Sequence, residues 1–115
     1  MAAGQPAEKV TERRRHARKK GLLEAHYELE GRRHRAGVAD LGKGGLSLVD
    51  VRQPLRVGER LVVWLTLSRR SGAALSLPGR IIWVQQQGVA AWRAGVEFDR
   101  LDPAAQRALS FYLWN

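Results

Sequence analysis

The chain has no cysteine, one methionine and four prolines in 115 residues, and no stretch approaches the roughly 18 apolar residues of a membrane-spanning helix. Without cysteine, disulfides and thiolate metal sites are excluded, and His16, His26 and His34 lack the spacing of a metal cage. No apolar core follows the first charges, so the first residues do not read as a secretory leader, and a soluble, cytoplasmic protein is expected. Acidic residues are scarce as well: 11 Asp and Glu face 20 Lys and Arg, a net charge of +9 and a sequence pI near 11.2. Such an excess points to an anionic partner. It is concentrated in residues 1–20, where Lys9, Arg13, Arg14, Arg15, Arg18, Lys19 and Lys20 oppose only Glu8 and Glu12.

What is present suits one compact domain, since 115 residues give a modest core and no room for a second. Residues 1–12 mix Ala, Gly, Pro and charges without a hydrophobic period and are expected to be a flexible N-terminal segment. Residues 13–115 form the single domain. From Leu23 the pattern alternates strictly, with Leu23, Ala25, Tyr27 and Leu29 on one face and Glu24, His26 and Glu28 on the other, the period-2 mark of a half-buried strand. Glu30-Gly31 reads as a turn. A second strand is expected over residues 35–41 and a third over 46–49, separated by Gly42-Lys43-Gly44-Gly45, where glycine permits backbone angles that a Cβ forbids.

Leu61, Val63, Leu65 and Leu67 alternate with Val62, Trp64 and Thr66, and a fifth strand, Ile81-Ile82-Trp83-Val84, is expected after a break at Pro78-Gly79. Gln85-Gln86-Gln87 reads as a polar hairpin connection, and a sixth strand covers residues 92–98. Six short strands at this spacing favour an all-β closed barrel over an open sheet. Asp102-Pro103 then supplies an N-cap and a preset first helical residue, and Ala105, Leu109 and Leu113 recur at fourfold spacing, so a terminal helix is expected to pack on or plug the barrel.

Two features carry a functional reading jointly. Arg13-Arg14-Arg15-His16-Ala17-Arg18 places Arg14 and Arg18 three residues apart just before the first strand, and Asp40-Leu41-Gly42-Lys43-Gly44-Gly45 follows the second. The pair resembles the two signatures of PilZ domains, Arg-x-x-x-Arg and Asp/Asn-x-Ser-x-x-Gly. Further segments resemble the same family: Pro54-Leu55 with Val57-Gly58, the run from Gly79 to Val84, and Ala94-Gly95-Val96-Glu97-Phe98. The resemblance implies a six-stranded antiparallel Greek-key barrel with a C-terminal helix and a flexible basic N-terminus. It further implies that both motifs close around one or two molecules of the bacterial second messenger cyclic di-GMP, with no cofactor.

The residues the resemblance assigns to the ligand are Arg13, Arg14, Arg15, Arg18, Asp40, Gly42, Gly44 and Gly45. A guanidinium is a planar fork of donors that fits a phosphate edge or the O6 and N7 of guanine. Asp40 accepts from the N1–H and N2–H of guanine, and the glycines allow close backbone approach. Gly42 departs from the family pattern, standing where a serine hydroxyl is usual.

By family analogy the expected output is ordering of the N-terminal arginines and signalling to a downstream protein in motility, biofilm or exopolysaccharide control. Two other readings remain open: a degenerate adaptor that works through protein contacts without nucleotide, and, less favoured, a barrel for single-stranded nucleic acid, compatible with the charge and the four tryptophans. The tryptophans read as packing residues. No nucleophile, base and orienting group converge, Ser47 having no recognisable partner, so no enzyme is expected.

Overall fold

The computed structural model describes residues 23–67 and 74–114. They form six strands, β1 (Leu23–Leu29), β2 (Arg32–Ala39), β3 (Gly45–Val51), β4 (Arg60–Thr66), β5 (Ala74–Gly88) and β6 (Ala91–Phe98), followed by one helix, α1 (Pro103–Trp114). Every pairing is antiparallel, and the strands close into a barrel in the order β1-β2-β3-β6-β5-β4. Two three-strand meanders are thus joined edge to edge into the closed barrel.

Alternation sets the inner face. Ala25, Tyr27 and Leu29 of β1 are buried, as are Leu46 and Leu48 of β3, Leu61, Val63 and Leu65 of β4, and Ala94 and Val96 of β6. The Glu30-Gly31 turn has both central residues at positive φ, 54° and 79°, the two-residue geometry whose twist matches the flanking strands. It sets the register Leu29↔Arg32, and β2 therefore begins three residues before Arg35, its arginines and His34 pairing with the outer half of β1. At its far end β2 stops at Ala39 and not at Leu41, because Asp40 adopts a φ of 51°, a left-handed conformation that Asp tolerates better than most residues.

The fifth strand differs most from expectation. Pro78-Gly79 does not interrupt it, and Gln85, Gln86 and Gln87 belong to it, the hairpin lying instead at Val89-Ala90. The Pro78 carbonyl accepts from the Asp99 N–H at 2.8 Å. A residue in an antiparallel ladder points its carbonyl and its nitrogen to the same side, so the Pro78 ring faces the end of β6 and Val62 of β4 loses no donor. Gly79 is needed for a different reason: a Cβ there would lie 2.5 Å from the Glu97 carbonyl oxygen. The strand pairs with β4 over its first half and β6 over its second, which is how the barrel turns its corner.

Helix α1 starts as its cap dictates, Asp102 Oδ1 accepting from the Ala105 N–H at 2.8 Å. Ala105, Leu109 and Leu113 are buried with Leu101 in continuity with the barrel core, so the helix packs on it. Phe111 and Trp114 face outward, 71% and 63% exposed. No helix among the described residues is long and apolar enough to cross a membrane.

Candidate ligand-binding cleft

The outer face of β3, β6 and β5 carries a cleft of about 550 Å³. One wall is the loop after β2, through Gly42, Lys43, Gly44 and Gly45. The floor and opposite wall include Ser47, Gly95, Glu97, Ile82 and Trp83. Two backbone hydrogen bonds hold the loop: the Gly42 N–H donates to the Gly45 carbonyl, and the Phe98 N–H donates to the Gly44 carbonyl, each at 2.9 Å. Gly45 is the glycine whose missing side chain matters, since a Cβ would collide with the Val96 backbone carbonyl across the ladder. The loop's left-handed residue is Asp40; the positive-φ glycines among the described residues are Gly31 and Gly58, so the freedom expected of the loop glycines appears as close approach.

Trp83 enters the cleft through a break in alternation. The register of β5 against β6 runs Ile81↔Val96 and then Trp83↔Gly95, which makes Ile82 the extra residue of a β-bulge. Ile81 points into the core, while Ile82 and Trp83 both turn outward, Trp83 being 38% exposed. Its indole lies across Gly95, where any Cβ would strike the ring. Ser47, Gly95 and Trp83 form one cross-strand row, and Gly45, Glu97 and Arg80 form the next. In that second row Arg80 Nη2 donates to Glu97 Oε1 at 3.3 Å. The cleft thus offers a flat aromatic surface, backbone of a glycine loop, the Lys43 ammonium and one arginine-paired carboxylate.

Of the sequence-derived site residues, the structure brings Gly42, Gly44 and Gly45 together in one wall. Asp40 stands half-buried at the start of that loop and is not among the residues lining the cleft. Arg13, Arg14, Arg15 and Arg18 lie outside the described residues. Lys43, Ile82, Trp83, Gly95 and Glu97 were not singled out by the sequence. Strict alternation places Trp83 beside Ile81 on the buried face, and the signal for the bulge is a glycine, Gly95, opposite a tryptophan. Trp114 is also not a packing residue; Trp64 is half-buried with the Arg33 guanidinium 5.2 Å from its ring centre. Among the described residues no group of three or more His, Asp or Glu is placed to hold a metal.

A closed six-stranded barrel with a glycine loop bordering an outer-face cleft and a helix after the last strand is the architecture of PilZ domains. The PilZ domain family matches residues 12–113, and the chain belongs to that family. The fold is similar to that of the Bacillus subtilis inhibitor of motility MotI/DgrA, with a TM-score of 0.72, 17% identity and 89% of this chain covered; the chain spans about half of that protein, 49%. It is similar to the PilZ domain of YcgR from Escherichia coli, solved with c-di-GMP, at a TM-score of 0.66 and 16% identity, covering 81% of this chain and 79% of that one. The PilZ domain of CeSA from a cellulose-synthesizing bacterium gives a TM-score of 0.61 at 16% identity, with 84% and 94% covered. No curated protein sequence matches the chain.

Proposed function

We propose that this domain is a receptor for cyclic di-GMP, which binds in the cleft between the loop of residues 42–45 and Trp83 and signals to a downstream protein. The observation that carries the reading is that Gly42, Lys43, Gly44 and Gly45, within the segment read from the sequence as the family's ligand loop, form one wall of a cleft whose other wall is an outward-turned indole. Stacking of a guanine on Trp83 uses that ring's open face; base–aromatic stacking is worth about 1–3 kcal/mol. Arg14 and Arg18 grip phosphates and guanine edges in bidentate fashion, Arg13 and Arg15 assist, and Asp40 accepts from one guanine. Support also comes from the PilZ domain of YcgR, which was solved with this ligand. The chain is a receptor or adaptor and does no chemistry of its own.

Gly42 supplies no hydroxyl, which costs about 0.5–1.5 kcal/mol, the net worth of one neutral hydrogen bond. Its N–H is committed to Gly45. The remaining anchors support micromolar affinity, near −8.2 kcal/mol. Titration calorimetry tests this on the full chain. Cyclic di-GMP should bind, and Arg14→Ala, Arg18→Ala or Asp40→Ala should each weaken binding by about tenfold or more, a loss of about 1.4 kcal/mol, with circular dichroism unchanged. Absence of heat at high micromolar ligand would instead assign the chain to the adaptor reading, and unchanged affinity in all three variants would remove these residues from the site.

A further inference from the structure

We infer that Glu97 reads the Watson–Crick edge of one guanine and so selects guanine over other purines at the Trp83 side of the cleft, an inference that rests on the cyclic di-GMP reading above. Glu97 follows Gly95 by two residues on β6, so both face outward, about 7 Å apart along the strand. Trp83 covers Gly95, and Glu97 lines the same cleft. A base stacked on the open face of the indole therefore has a carboxylate beside its rim.

An ionised carboxylate is acceptor-only, with two oxygens. Guanine presents two adjacent donors on that edge, N1–H and N2–H, which match it. Adenine presents its N1 lone pair there, which faces the carboxylate acceptor to acceptor and is rejected. Arg80 acts as a positioning residue: it is the cross-strand partner of Glu97 and donates to Oε1. Its charge also offsets the repulsion between the carboxylate and the ligand phosphates. Since cyclic di-GMP carries two guanines, Glu97 and the Asp40 of the proposed site serve different bases.

The test compares calorimetric affinities of the full chain for cyclic di-GMP and for cyclic di-IMP, whose hypoxanthine lacks the N2 amino group. The wild-type chain should prefer the guanine ligand by about tenfold or more, and in Glu97→Gln that preference should fall by about tenfold, with part of it retained in Glu97→Asp. A merely structural role for Glu97 would lower both affinities equally and leave the preference intact, which overturns the inference. If the wild-type chain binds cyclic di-GMP and Glu97→Gln keeps the full preference, only this inference fails. If the wild-type chain binds neither ligand, the receptor reading fails with it.

Discussion

Tyr27 is the buried residue whose chemistry is most constrained. Its ring stacks on His34 with centroids 5.0 Å apart, and its hydroxyl has no hydrogen-bond partner among the described residues. Desolvation first, and the nearby Glu59 charge second, push the phenol from its ordinary 10.0 up to about 12. Between those values the unfolded chain has lost the proton and the folded chain keeps it, so the folded state binds more protons and stability falls as pH rises. The contribution is fully present below about pH 10 and is lost by about pH 12, on the order of 2 kcal/mol. Denaturant unfolding across that window should show the decline, and Tyr27→Phe should abolish most of it while leaving neutral-pH stability unchanged or slightly raised, because no hydrogen bond is sacrificed. A neutral-pH loss above about 2 kcal/mol in Tyr27→Phe would mean that the hydroxyl is bonded. At this scale alternation placed Tyr27 correctly in the core, since nothing interrupts the period of β1. It misplaced Trp83 because one inserted residue, Ile82, reverses every side chain after it.

Among the elements, the loop of residues 42–45 and the strand it enters shape one wall of the cleft. Gly44 has open space where a Cβ would be, whereas a Cβ at Gly45 meets the Val96 carbonyl. Gly44→Ala should therefore cost less than about 1 kcal/mol, and Gly45→Ala should cost about 1–3 kcal/mol or more through displacement of β3 from β6. Equal effects in a chemical-denaturation comparison would mean that the ladder relaxes freely around the added methyl. Strand existence was legible from hydrophobic period and the helix from its Asp-Pro start. The extent of β5 was not: Pro78 reads as a breaker from sequence, and only the topology shows that its nitrogen faces the end of β6, where no donor is required. The ends of β2 shifted for a local reason, the paired positive φ angles at Glu30-Gly31 before it and the one at Asp40 after it.

For the molecule as a whole, the charge of +9 is divided between residues 1–20, which carry +5, and residues 21–115, which carry the remaining +4. Arg35–Glu24, Arg52–Asp50 and Arg60–Asp99 are ion pairs at 2.7 Å, all on the surface, where each contributes little to stability. Each pair lowers the field only locally, and the proposed attraction for a phosphate ligand rests chiefly on the denser charge before β1, +5 within residues 1–20. The candidate cleft was legible in the sequence only on one side. The loop is contiguous in sequence and was visible there. The opposite wall is assembled by strand register across β5 and β6, a long-range property that no local motif encodes.

The most direct test of the receptor reading is an amide and indole NMR titration of the full chain with cyclic di-GMP at physiological salt. Binding in the cleft should move the amides of Gly42, Lys43, Gly44 and Gly45 and the indole N–H of Trp83 together, saturably, along with those of Arg14 and Arg18. Perturbations gathered around Trp64 and Arg33 on the β1, β2 and β4 face, with Trp83 and the glycine loop unmoved, would contradict it.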